Sequence, residues 1–469
     1  MKGITFFLLL ISFSSLHTQP VTLRDTTNQY DYIIITVPEY ASTCEPFKQH
    51  KETVRGFNTL IVDTTQIFAE FDSSATPQDN ISDFISYAGT FWEEPKPKFF
   101  LIAGTANDIP NFPIQLPGYT VYYFSDYYYS QNIYENDSTT TDFYVGRIPS
   151  KNVNELQNYF DKAIDYETNN VLQSWMNNNL FICENDILFG FLEEAIWLDG
   201  LFPPYIKSSF IVNDTSSIYY GDKDTIYKVI NEKGNSIVWF EGHNRDSFCI
   251  SPEYFNINDI NNLNNTEKYF LTIYVGVQQS VFDLNTNMTR EMLVKQSSGS
   301  IGGIVFVGLG YWGIAQVFQE NWANRMYNPA FSSISDIFNL DMHPSVGLYN
   351  YMKKITNLWA DPSLKLKYDT TVGVEKNTSE PPESFTLYQN YPNPFNPATT
   401  IKFALPVNSR VKINVYNSLG QLVETLVDKE MQSGYHEVNF DGSGLSSGVY
   451  LYQLQAGEYI SVNKMLLLK

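Results

Sequence analysis

The chain has 469 residues, 43% of them hydrophobic and 16% aromatic, which is enough for roughly two to four domains and excludes a disordered or disulfide-stapled peptide architecture. Acidic residues outnumber basic ones 51 to 30, giving a net charge of −21 that repels phosphate backbones and excludes nucleic acid as a partner. Only Cys44, Cys183 and Cys249 are present, too few for a disulfide framework and without metal-ligand spacing, so one bridge at most is expected.

In chain order, Met1-Lys2-Gly3 and the apolar run Ile4 to Phe13 precede the small and polar Ser14, Ser15, Thr18 and Gln19. This reads as a secretory signal peptide over residues 1–19. A spanning helix needs about 20 apolar residues, more than this run offers, and no later segment reads as membrane-spanning. The mature chain is expected to start near residue 20.

Short apolar runs then recur at Tyr32 to Val37, Thr59 to Val62, Phe99 to Ile102, Ser236 to Phe240, Leu271 to Val275 and Ile304 to Val307. Continuous β-branched and aromatic runs suit strands covered on both faces. Between them, stretches such as Asn154 to Thr168 carry apolar residues at helical spacing. The alternation predicts an α/β domain with a mainly parallel sheet over residues 28–370. Residues 371–384 are polar, contain Pro381 and Pro382 and show no period, as a linker does. Beyond them Thr400 to Leu405, Val411 to Tyr416 and Val449 to Leu454 alternate apolar and polar residues between turn pairs such as Asp441-Gly442. A small all-β immunoglobulin-like sandwich over residues 385–469 fits that pattern.

This last module resembles the C-terminal sorting domain of cargo of the type IX secretion system. The matching residues are Tyr391-Pro392-Asn393-Pro394-Phe395-Asn396-Pro397, Leu405-Pro406, Val415-Tyr416-Asn417, Gly420-Gln421, Ser447-Gly448-Val449-Tyr450 and the ending Lys464 to Lys469. The resemblance implies that the secretion machinery is a partner. It also implies passage through the periplasm to the outer-membrane surface or the extracellular space.

Sites in open parallel sheets lie at the carboxyl ends of strands. One run ends in Glu241-Gly242-His243-Asn244 and another in Gly276-Val277-Gln278-Gln279-Ser280-Val281-Phe282. If those strands are neighbours, His243 and Val277 stand side by side. Here the sequence resembles the gingipain family of cysteine endopeptidases, whose fold is a caspase-like α/β sandwich. Further matches are Gly104 to Pro110, Asp142-Phe143-Tyr144-Val145-Gly146-Arg147 with Tyr166-Glu167, and Asp361-Pro362-Ser363-Leu364. The resemblance implies that His243 is the general base, that Asp142 is the carboxylate candidate for orienting it, and that Val277 occupies the nucleophile position. Arg147 reads as a structural ion-pair partner.

The departures carry the functional reading. Asn244 replaces the second Gly of the family's Gly-His-Gly, Ser280 replaces the Gly after the nucleophile, and Val277 replaces the cysteine. A cysteine peptidase attacks with a thiolate, and valine has no lone pair to offer. The sequence therefore predicts a degenerate peptidase homologue serving as a surface binding or scaffold protein, its ligand a peptide or protein. Two alternatives stay open: an active cysteine endopeptidase using Cys249, six residues beyond His243, and an adhesin-like surface protein. Neither Ser247 nor Ser280 sits in a Gly-x-Ser-x-Gly elbow. No cofactor is expected, although the family resemblance admits structural calcium in loops such as Asn136 to Asp142, which lack an EF-hand register. The tyrosines Tyr122, Tyr123, Tyr127, Tyr128 and Tyr129 could line a cleft or pack a surface strand.

Overall fold

The computed structural model describes residues 21–370 and 385–467 apart from 73–74, 116–117, 119–121, 136–140, 187–189, 218, 244–247, 250–253, 276–286, 309, 340, 342–346, 389, 391–394, 418–419 and 458. The expected signal peptide, the expected linker and Val277 lie outside the described residues. So do Asn244, Ser247, Ser280 and most of the Asn136 to Asp142 loop.

The uninterrupted apolar runs form parallel strands because only a sheet covered on both faces hides every side chain of such a run. The first sheet is built from β1 (Tyr32–Thr36), β2 (Thr59–Asp63), β3 (Phe99–Ala103) and, after the hairpin β4 (Phe112–Gln115) and β5 (Tyr122–Ser125), β6 (Tyr144–Ile148). Its order is β2-β1-β3-β6, all parallel. The second sheet takes β7 (Asn178–Cys183), β8 (Lys207–Val212), β9 (Ile237–Glu241), β12 (Phe270–Val275), β13 (Ser300–Phe306) and β14 (Thr356–Ala360). Its order is β14-β13-β12-β9-β7-β8, with only β14 antiparallel. Between β9 and β12 the short strands β10 (Phe248–Cys249) and β11 (Phe255–Asn256) pair with each other. All residues of β1, β9 and β13 are buried.

The two sheets meet at β6 and β14, where a Cβ on Gly146 would overlap the Ala360 carbonyl oxygen. This close backbone approach explains a glycine inside a strand. Helix Val153–Thr168, capped by Asn152 accepting from the Glu155 amide, follows β6 and buries Leu156, Tyr159, Phe160 and Ala163.

A buried ionic cluster ties the start of this domain to its end. The Lys51 ammonium, fully buried, lies 2.8 Å from Glu167 and 2.5 Å from Asp361. His50 Nε2 stands 2.8 Å from the same Glu167 carboxylate, and Arg55 donates to Glu167 and to the Ser363 carbonyl. Asp361 also accepts from the Tyr32 hydroxyl of β1 at 2.7 Å. The Tyr166-Glu167 and Asp361 to Leu364 motifs are thus two halves of one charge-compensated structural site. Burial alone pushes the Glu167 carboxyl up, but Lys51, His50 and Arg55 outweigh it and hold the group at about 2.

Two antiparallel sheets make up the C-terminal module. One is ordered β15 (Thr386–Leu387), β16 (Ala398–Leu405), β19 (Gly434–Asp441), and the other β18 (Leu422–Met431), β17 (Ser409–Asn417), β20 (Gly448–Ala456), β21 (Tyr459–Leu467). Alternate residues such as Val411, Ile413 and Val415 with Tyr452 and Leu454 form their own core, as a sandwich requires.

Glu167→Gln is expected to destabilise the α/β domain at pH 7 by about 3 kcal/mol, because it leaves Lys51 short of a buried partner. A carboxyl whose pKa is lowered on folding stabilises above its unfolded value near 4.5, and that contribution is lost as pH falls toward about 2. Denaturant unfolding at pH 7 and pH 3 checks this: the gap between variant and parent should narrow at pH 3. Gly146→Val is expected to abolish folding of the domain, as seen by loss of a cooperative thermal transition.

Candidate active site

β9 and β12 are adjacent, parallel and in register, with Glu241 beside Val275. His243 follows Glu241 by the same two residues that separate position 277 from Val275, so the neighbouring strands on which the sequence reading depends are present. Across the other edge of β9, Cys183 pairs with Glu241. The next amide, that of Glu184, donates to the Glu241 carbonyl at 2.8 Å.

This register delivers a carboxylate to the histidine. Glu184 Oε2 accepts from the His243 amide at 2.6 Å and stands 3.0 Å from His243 Nδ1. Glu184 is nearly buried, while the His243 side chain is 35% exposed, so the ring is anchored on one side and open to solvent on another. Phe191, at the start of helix Phe191–Asp199, meets the ring edge-on, with centroids 5.6 Å apart at 88°. Donation of Nδ1–H to a carboxylate makes Nε2 the basic nitrogen, the arrangement of an oriented general base.

The structure does not bring Asp142 to His243. Asp142 precedes β6, where its amide donates to the Ser130 carbonyl and its carboxylate accepts from the Asn132 amide at 2.9 Å. β14, β13 and β12 lie between β6 and β9, and at about 4.8 Å per strand that separation is beyond any side chain's reach. The carboxylate beside His243 is instead Glu184, which the sequence reading missed. The sign was present: Glu184 directly follows the apolar run Leu180-Phe181-Ile182, in the same strand-end position that singled out His243.

Asp186 Oδ2 lies 4.0 Å from His243 Nδ1, and with Glu184 it forms a three-residue group of metal-ligand type. The separation of Nδ1 and Glu184 is that of a hydrogen bond, with Nδ1–H as the donor in the tautomer that leaves Nε2 unprotonated. Of the Asn136 to Asp142 loop, Thr141 is described, and its amide donates to Asp341 at 2.6 Å.

Arg147 is fully buried and makes two 2.7 Å contacts to Asp126, with further donations at 3.0 Å to the Gly104 and Ile109 carbonyls. It fixes the Gly104 to Pro110 turn and takes no part at His243. Tyr123, Tyr127 and Tyr129 of the tyrosine cluster are buried in packing, whereas Tyr122 is exposed. Cys44 and Cys183 are free and buried. Burial raises the Cys44 thiol to about 12 and pushes Cys183 well up, which makes both inert. The backbone of Cys249 is fixed in a two-residue ladder opposite Phe255.

The segment following position 277 is also held firmly where it is described. Asn287 caps helix Met288–Val294 through the Arg290 amide, and the buried Arg290 donates to the Pro149 carbonyl at 3.0 Å. The fully buried Lys162 ammonium donates to the carbonyls of Met292, Ser298 and Ser300 at 3.1, 2.9 and 2.8 Å.

Comparison with known proteins agrees with this architecture. Among solved structures the chain is similar to the Arg-specific cysteine proteinase gingipain R (RgpB), at 16% identity and a TM-score of 0.59, over 93% of this chain and 98% of that one. It is likewise similar to the complex of Porphyromonas gingivalis RgpB pro- and mature domains, at 16% identity and TM-score 0.59 over 93% and 100%. A further solved protease gives 14% identity and TM-score 0.59 over 95% and 98%. No match was found among curated proteins. Residues 389–468 match the secretion system C-terminal sorting domain, which marks the chain for type IX export to the cell surface or extracellular space. Among the described residues no helix is long and apolar enough to cross a membrane. Residues 25–367 match the model of peptidase family C25, and the chain therefore belongs to that family, the gingipains.

Proposed function

We propose that this protein is a catalytically degenerate member of its family that binds peptide or protein at the cell surface without cleaving it. The observation that carries the reading is an intact base and orienting carboxylate, His243 and Glu184, at the end of a strand whose neighbour leads to valine where the family has its nucleophile. General-base catalysis at its usual worth of about 10² to 10⁴ fold needs a group to deprotonate. A hydrocarbon side chain offers none. An oriented, partly exposed imidazole is still a good hydrogen-bonding partner for a peptide carbonyl or carboxylate.

Export supports a surface role. The sorting module implies recognition by the type IX machinery, and the N-terminal run of residues 4–13 serves as the first address, read at the inner membrane. Release or anchoring after export is then a step on the module and not on the α/β domain.

The purified protein is expected to bind unstructured peptides and to leave casein uncut. Val277→Cys should acquire an iodoacetamide-reactive thiol and slow peptide cleavage, and Val277→Cys with His243→Ala should lose the cleavage. Turnover by the parent protein that disappears in Cys249→Ala would overturn the proposal in favour of an active endopeptidase. Removing residues 385–469 is expected to leave the α/β domain in the periplasm, as shown by cell fractionation and immunoblotting. Normal export of the truncated chain would contradict the role given to the module.

A further inference from the structure

Where helix Val153–Thr168 and helix Trp312–Met326 end, the chain that leaves β14 passes between them and a hollow of about 480 Å³ opens. That volume falls among ligand sites of roughly 300 to 1,000 Å³. It lies on the far edge of the sheet from His243. β14 is antiparallel to β13, so its last residue, Ala360, stands beside Gly302 near the start of β13, whereas His243 follows the end of the parallel strand β9. The five residues of β9 set the two edges about 17 Å apart at the usual rise per residue.

The inner lining is apolar. Met326 and Ile337 are buried there, Phe331 and Tyr368 are half-buried, and Leu172 stands 48% exposed at the rim, next in sequence to Val171 at 68%. Two successive aliphatic side chains held out in water cost free energy that an apolar partner recovers.

The charged lining is mainly basic. Arg55, Lys365 and Lys367 face the hollow together with Glu167, whose charge Lys51 and Arg55 offset. Arg55 also donates to the Ser363 carbonyl at 2.9 Å, and Lys367 donates to the Tyr166 and Asn169 carbonyls at the end of helix Val153–Thr168. The nearby Asp336 carboxylate is taken up by the Tyr144 hydroxyl and the Ser332 and Ser333 amides. Lys365 differs, being exposed and, among the described residues, paired with no acid. A chain of net charge −21 repels a carboxylate over most of its surface. This hollow attracts one.

We propose that the hollow is a second binding site, which takes a segment of another protein in which a carboxylate side chain neighbours an aliphatic one. The carboxylate meets the Lys365 ammonium at the mouth, with Arg55 and Lys367 behind it. The aliphatic side chain covers Leu172 and packs on Met326, Ile337 and Phe331. A small inorganic anion would answer the charges and leave the apolar lining unused. The site goes beyond the reading of His243 and does not depend on it.

The test is fluorescence anisotropy of the full chain with labelled six-residue peptides that alternate Leu with Glu, Leu with Gln, or Leu with Lys. The Glu peptide is expected to bind, the Gln peptide to bind at least tenfold more weakly, and the Lys peptide not to bind. Lys365→Glu and Leu172→Asp should each weaken the Glu peptide roughly tenfold, with the thermal midpoint unchanged, as exposed positions allow. His243→Ala should bind it as the parent does, so failure at one site is read separately from failure at the other. Equal binding of the Gln peptide, or parental affinity in Lys365→Glu, would overturn the proposal. Loss of binding in His243→Ala would overturn it by assigning the peptide to the strand-end site. Displacement of the peptide by equimolar inorganic phosphate would overturn it in favour of a small-anion site. Binding that appears only after residues 371–384 are replaced by Gly and Ser would overturn it in favour of the chain's own linker as occupant. Should Lys365→Glu fail to fold, Lys365→Ala carries the same comparison, and parental affinity there overturns the proposal equally.

Discussion

The register between β7 and β9 is the constraint on which the rest of the site depends. Parallel neighbours bonded with Cys183 beside Glu241 must end at the same level, so the residues that leave them meet. Glu184 then binds the Glu241 carbonyl through its amide and His243 through its carboxylate. A slip of one residue would exchange the two packed faces of strands buried on both sides, so the register is enforced by the whole apolar core and not by the polar contacts at its end. The polar site is therefore inherited from hydrophobic packing.

The same economy explains the family motifs that lie away from His243. The Gly104 to Pro110 turn is held by Arg147, and Glu167 and Asp361 are held by Lys51. Each of these is a buried charged group whose partner, once removed, leaves an uncompensated charge. Folding alone calls for them. Motifs of this kind identify the fold and say little about activity.

Glu241 shows the opposite case, a buried carboxyl that nothing in the apolar plan calls for. It stands at the end of a strand whose every residue is buried. Such groups cost stability unless they are paired or protonated, and their persistence directs attention to the strand end they share with His243.

Much of the fold was legible along the chain, because strands buried on both faces write themselves as continuous apolar runs. Tyr32 to Val37, Phe99 to Ile102, Ser236 to Phe240 and Leu271 to Val275 coincide with strands of the two parallel sheets. The alternation in Val411 to Tyr416 and Val449 to Leu454 likewise marked a sandwich. Strands such as β6 and β8 were not read, since Tyr144–Ile148 contains Gly and Arg and Lys207–Val212 begins with polar residues. His243 was visible as a strand-end histidine, but its partner was not, since the family resemblance pointed to Asp142 and local pattern cannot say which acidic residue lies beside the ring. Strand order did so, placing β7 beside β9 and leaving three strands between β6 and β9. By itself the sequence determined which residues must be buried and hence the layers. Only the tertiary structure decided which strand ends are neighbours, because the pairing of parallel strands is set by crossovers and packing over hundreds of residues and leaves no mark on the local pattern.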